Sequence, residues 1–278
     1  MTLRNPIRVA LVVSFNCSFA HAQWSVTTLN PAGSADSFAL GVSAGQQVGI
    51  AQLGEAESAA LWSGTAASWI NLNPAGSLAS QALSLNANQQ VGLAVDGELG
   101  ACRARLWAGT AASWIDLRPP ASTYSIACDI SGTQQVGTVV LNTVGHASLW
   151  SGTAASWVDL NPIEAEAWNA YGVHDGQQVG RAIADGIERA SLWTGTAASW
   201  VNLNPTGSTA SVAYDVYAGQ QVGIARFNGI HHAGLWNGTA ASWLDLNPPG
   251  AELSEARGVH EGRQVGYAAF NGVMRAGL

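Results

Sequence analysis

Apolar residues come in short bursts along this chain, and the bursts recur. Between positions 211 and 248 four stand out. They are Val212-Ala213-Tyr214-Asp215-Val216, Gln221-Val222-Gly223-Ile224-Ala225-Arg226, His232-Ala233-Gly234-Leu235-Trp236 and Ser242-Trp243-Leu244-Asp245-Leu246. Ala218-Gly219, Asn228-Gly229, Asn237-Gly238 and Asn247-Pro248 follow them, and such pairs mark turns. No run is long enough for a helix. Each is predicted to be a β-strand.

The same four runs repeat. Gln-Gln-Val-Gly begins at Gln46, Gln89, Gln134, Gln177 and Gln220, and returns as Arg263-Gln264-Val265-Gly266. The steps are 43 residues, except for one of 45. Leu-Trp recurs at Trp62, Trp107, Trp150, Trp193 and Trp236, and Gly-Thr-Ala-Ala-Ser-Trp brings Trp69, Trp114, Trp157, Trp200 and Trp243. Ten of the 12 tryptophans are thus two positions of one unit. Four strands in such a unit make one propeller blade. The predicted fold is all-β, a β-propeller of four-stranded antiparallel blades, with a β-solenoid second because its coils are shorter. Residues 25–31 align with the fourth run only, and residues 255–278 with the first three. That predicts six blades closed 3+1 by the N-terminal strand, which removes an open sheet edge. Seven blades or an incomplete ring are the alternatives, because Leu278 stands just before the sixth expected Trp.

Residues 1–22 read as a signal peptide, with Arg4 and Arg8, the apolar run from Val9 to Phe15, and Ala20-His21-Ala22 for cleavage. The rest, 23–278, is expected to be a single secreted or periplasmic domain. No apolar stretch is long enough to span a bilayer, so membrane insertion is not expected. Charged residues are only 10% of the chain and the net charge is −7. A composition this apolar argues against disorder, and the absence of a basic run argues against nucleic-acid binding. Cys102 and Cys128 remain after cleavage, and export would let them pair. The two extra residues of the longer step lie directly before Cys102, which makes a bridge between blades the candidate.

His146-Ala147-Ser148-Leu149-Trp150 and His232-Ala233-Gly234-Leu235-Trp236, each preceded by a Gln-Gln-Val-Gly run, resemble the bacterial HAF family of extracellular repeats. In that family a His-Ala-Phe-Leu-Trp-like strand alternates with a Gly-Gln-Val-Val-Gly-like one. This chain departs from it with Ser or Gly for Phe, and with Arg103, Arg189 and Arg275 for His. The resemblance implies an exported repeat protein and supplies no catalytic residues.

Positions that never vary are expected to be packing: the first-run alanines (Ala39 to Ala256), the third-run alanines (Ala59 to Ala276), and the Trp pairs wedged between blades. The link between units and the turn between runs two and three vary, and both emerge on one face. A variable face on a constant scaffold is the pattern of a binding surface. The candidate ligand-binding residues are Glu164, Glu166 and Trp168, an exposed Trp with acidic neighbours suited to a sugar or a cation, and His231 and His232. Adjacent strand residues point to opposite faces, which counts against a metal on that His pair, and no metal or cofactor is expected. The cationic series Arg103, His146, Arg189, His232 and Arg275 is expected to pair with local acids such as Glu57 and Glu188. His174 and His260 are expected to be surface residues. No nucleophile elbow, phosphate loop or zinc helix occurs, so no catalytic residue is assigned. The leading expectation is a monomeric binding module for a protein or glycan; the other is a lyase or glycosidase with carboxylates in the central depression.

Overall fold

The computed structural model describes residues 26–97, 100–162 and 166–277. Five antiparallel sheets of four strands and one of three follow one another along the chain, each in meander order. They are numbered here as blades 1 to 6. The inner strands are Ser37–Ser43, Ser77–Asn86, Tyr124–Ser131, Ala167–His174, Ala210–Tyr217 and Leu253–His260. In blades 1 to 5 each lies beside the inner strand of the blade that follows. The fourth strand is only two residues long, as at Val158–Asp159. Ahead of it the Ala-Ala-Ser of each repeat makes one 3₁₀ turn, as at Ala154–Ser156.

The repeated letters now have reasons. Each inner strand slips by one residue against the second strand: Ala127 pairs with Gly137 and Asp129 with Val136, which leaves Cys128 over. The same β-bulge falls at Leu40, Leu83, Tyr171, Tyr214 and Arg257. The bulge presses the carbonyl before the invariant Ala onto the Gly of Val-Gly. A Cβ on Gly137 would collide with Ile126 O, and Gly49, Gly92, Gly180, Gly223 and Gly266 are confined in the same way. The second Gln ties two turns together. Gln135 accepts from Gly152 N–H at 2.8 Å and donates to Thr133 O at 2.9 Å. This end of each blade is built from bonds the repeat itself supplies.

Between blades the first Trp of each pair does the packing. Trp150 is fully buried and packs with Val91, Leu106 and Leu117 of blade 2 and Ile130 and Val139 of its own blade. Trp62, Trp107, Trp193 and Trp236 are equally buried. The second Trp stays on the blade flank, with Trp114 40% exposed. Trp69, Trp157, Trp200 and Trp243 are partly buried and pack against these cores, so the second Trp contributes to the wedge less deeply than the first. Across the junctions a serine caps the third-strand alanine of the preceding blade. Ser80, Ser125, Ser211 and Ser254 accept from the N–H groups of Ala59, Ala104, Ala190 and Ala233, each at 2.9 Å.

The sixth sheet has three strands, and residues 26–30, expected to complete it, lie in no sheet. The 3+1 pairing is thus not formed among the described residues. Leu29 packs beside Trp62, as Leu117 does beside Trp150. Val42 is 74% exposed, whereas its counterparts Leu85, Ile130, Val173, Val216 and Val259 are buried. Val265 is likewise exposed while the matching valines of blades 1 to 5 are buried.

Two carboxylates bolt blades together near the axis. Asp129 accepts from Ser84 Oγ at 2.6 Å and from Val173 N–H at 2.9 Å. Asp215 accepts from Val259 N–H at 2.8 Å. Burial outweighs these bonds and raises Asp129 from 3.8 to about 6, and it raises Asp215 in the same direction. A carboxyl raised in the folded state stabilises most below its unfolded value, and that share is lost as pH climbs through the folded one. The blades are therefore expected to hold most firmly near pH 4 and to lose up to about 3 kcal/mol by pH 7. Asp129→Asn can accept from Val173 and donate to Ser84 without a charge. It should flatten the rise in melting temperature on acidification, and an unchanged pH profile would refute the assignment.

Candidate functional site

The bulge gives the inner strands a second consequence. In blades 4, 5 and 6 the extra residue is Tyr171, Tyr214 and Arg257. Tyr171 and Tyr214 lie 6.0 Å apart, and the Arg257 guanidinium sits 4.2 Å from the Tyr214 ring centre. Burial pushes the Tyr214 hydroxyl up to about 12. Arg257 is also ion-paired with Glu255. Three residues along each strand stand His174, Tyr217 and His260. Tyr217 touches both imidazoles, with 4.3 Å between ring centres on either side. Ala218 N–H donates to His174 Nδ1 at 3.3 Å. The same positions in blades 1 to 3 hold Leu40, Leu83 and Cys128, then Ser43, Asn86 and Ser131. At these positions one half of the axis is aromatic and cationic, and the other carries neither a ring nor a charge.

His260 is exposed and His174 half-buried, and the row adds a connection to their expected surface position. They belong to non-adjacent blades, and Tyr217 between them makes one row. The arrangement offers flat ring faces, imidazole nitrogens and a cation. The two nearby carboxylates spend their oxygens on Ser84, Val173, Val216 and Val259. A carboxylate so bonded is a poor proton shuttle. Among the described residues no group of three or more His, Cys, Asp or Glu is placed to hold a metal.

The residues singled out from the sequence do not converge. Glu164 lies outside the described residues. Glu166 is exposed. Trp168 is 1% exposed, so the expectation of an exposed platform is wrong. It fills the slot that serine occupies in blades 2, 3, 5 and 6, and that slot faces a junction. His231 and His232 part to opposite sides, Nδ1 of one lying 3.4 Å from Glu255 and of the other 2.8 Å from Asp245. Cys102 and Cys128 are free thiols. Ala104 is level with Ser125 across that junction, which puts Cys102 two residues to one side and Cys128 three to the other. A disulfide needs Cα atoms within about 7 Å. Burial instead pushes the Cys128 thiol up to about 12.

The cationic series has partners the sequence reading missed. His146 donates to Asp159 and His232 to Asp245, both at 2.8 Å, and Arg103 lies 3.6 Å from Asp116. These acids are all in the fourth strand of the same blade. Glu57 instead holds Gln81, and Glu188 pairs with Arg181.

The chain matches no family model and no curated protein. The likeness to HAF repeats therefore rests on its motif strings. Among solved structures, puromycin hydrolase complexed with PGG is similar with a TM-score of 0.63 at 12% identity, over 87% of this chain and 43% of that one. TolB from Acinetobacter baumannii is similar with a TM-score of 0.51 at 10% identity, over 84% of this chain and 63% of that one. The fold is propeller-like. Identities this low speak for fold alone, and the chain spans under half the length of the puromycin hydrolase it matches. No helix among the described residues is long and apolar enough to cross a membrane.

Proposed function

We propose that the protein is an exported binding module whose principal contact surface is the axial row of blades 4 to 6. The observation that carries this reading is the unbroken contact His174–Tyr217–His260, 4.3 Å at each step, across three blades. The repeat does not require those side chains, since blades 1 to 3 fold with Ser, Asn and Ser there. Aromatic rings with polar edges, set on rigid strands, suit a protein segment or a glycan. The ligand surface thus moves from the variable loops to the inner strands.

A glycan array and a pull-down with residues 23–278 test the reading. Tyr217→Ala removes the middle ring, which also packs against the core of Val222, Leu235 and Val259 between blades 5 and 6. It is expected to weaken capture of any ligand found by tenfold or more, about 1.4 kcal/mol, with a lowered melting temperature but a cooperative melt, because the ring leaves the edge of that core. Equal capture by this variant would rule out the axial row. The lyase or glycosidase reading is the weaker one, because Asp129 and Asp215 spend their oxygens on bonds across the blades. Turnover of an acidic polysaccharide lost in Asp129→Asn would favour it.

A further inference from the structure

We propose that the flank of blade 4 holds a second binding site, for a small ligand carrying a carboxylate on a six-membered ring. A cavity of about 550 Å³ lies there, bounded by Pro162, Trp168, Asp185, Arg189, Ala198 and Trp200 among others. That size suits a small-molecule site. Two departures from the repeat meet in it.

The first is Trp168. Serine caps the preceding blade from this slot in blades 2, 3, 5 and 6. In blade 4 the cap passes to Asn161, whose Oδ1 accepts from Ala147 N–H at 2.9 Å. The fold therefore keeps its bond, and the indole is additional. Trp168 packs edge-on against Trp193 at 5.6 Å and Trp200 at 5.2 Å. Its Nε1–H is buried without a partner.

The second is Arg189. The matching histidines of blades 3 and 5 meet a fourth-strand acid, Asp159 or Asp245, and Arg103 of blade 2 lies between Asp96 and the fourth-strand Asp116. Blade 4 has Asn202 at that position. The ion pair the structure gives Arg189 is with Asp185 at 3.4 Å, whose side chain is 88% exposed, while that of Arg189 is 21% exposed. Apart from Asp185, whose side chain stands in solvent, the wall around this guanidinium is apolar, and a ligand carboxylate that displaces Asp185 can bind it in bidentate fashion. Trp200, partly exposed, supplies a face for the ring that bears it. The ligand class has two sources, a uronic acid unit of an acidic glycan or an aromatic carboxylate.

Tryptophan fluorescence and calorimetry with galacturonate and with benzoate test the site, each beside its neutral analogue, galactose or benzamide. At least one acid is expected to bind with a Kd of about 1 mM or tighter, and its neutral analogue about tenfold more weakly. Which acid binds names the source. Asn202→Asp gives Arg189 the partner its counterparts have, and should weaken binding about tenfold without changing the circular dichroism melt. Trp168→Ser restores the residue of the other blades and should abolish the fluorescence response. Tyr217→Ala should leave this binding untouched, which separates it from the axial row. No binding of either acid, or equal binding by Asn202→Asp, overturns the proposal.

Discussion

Gly137→Ala is expected to destabilise the protein by about 4 kcal/mol or more, enough to prevent accumulation of folded chain. The reason is the bulge at Cys128, which drives Ile126 O against Gly137. The obstacle is backbone paired with the second strand, so it cannot turn aside as a side chain could. Moving it would undo the slip that seats Ala127 and Ile130 in the junction with blade 2. Gly145→Ala is the control. A Cβ there would meet Trp168 O at 3.4 Å, an ordinary contact, and the cost should stay within about 1 kcal/mol. Urea denaturation of both variants gives the comparison. A mild Gly137→Ala would mean that the bulge is not fixed.

Trp150→Ala should cost about 3–5 kcal/mol, because a fully buried indole leaves a cavity walled by two blades. Trp150→Phe should cost roughly half as much. The Trp150 Nε1–H has no partner, so its loss leaves no acceptor unpaired. Trp114→Ala makes the contrast within one repeat. Trp114 is 40% exposed and its ring stacks under Arg105 at 4.4 Å, which predicts a loss of about 1 kcal/mol. Equal losses at Trp114 and Trp150 would contradict the division of labour between the two tryptophans.

Strands, turns and blade count were legible because the repeat averages away accident: a letter kept at Val48, Val91 and Val136 is one the fold needs. The axial row was not read, although its signal was present. The invariant Ala and the apolar residue three places on, such as Ala170 and Val173, both face a junction. Two residues three apart cannot share a face of a regular strand. That spacing is the mark of a bulge, and Tyr171, Tyr214 and Arg257 are the residues it throws out of register. Trp168 was misjudged for a related reason. Serine at its position in all five other units marks a fixed slot, yet a tryptophan among acidic letters reads as a loop residue. The charge pairs were legible too: Arg103, His146 and His232 each come with an Asp 13 residues later, and Arg189 comes with Asn202.

The residue after the bulge also bears on how such a chain avoids misassembly. Tandem units this alike can dock on the wrong neighbour during folding with the same Val, Leu and Trp contacts. At the axis, however, the series reads Gly41, Ser84, Asp129, Gly172, Asp215, Gly258. Asp129 needs the Ser84 hydroxyl on one side and the Val173 N–H, beside Gly172, on the other. Asp215 needs Val259 N–H, beside Gly258. Blade 5 docked on blade 3 would set two buried carboxylates against each other, and Gly beside Gly would leave a valine N–H without its acceptor. Six near-copies thus carry a sorting code at their crowded edge, and a chain with all six positions set to glycine should assemble its blades in mixed order.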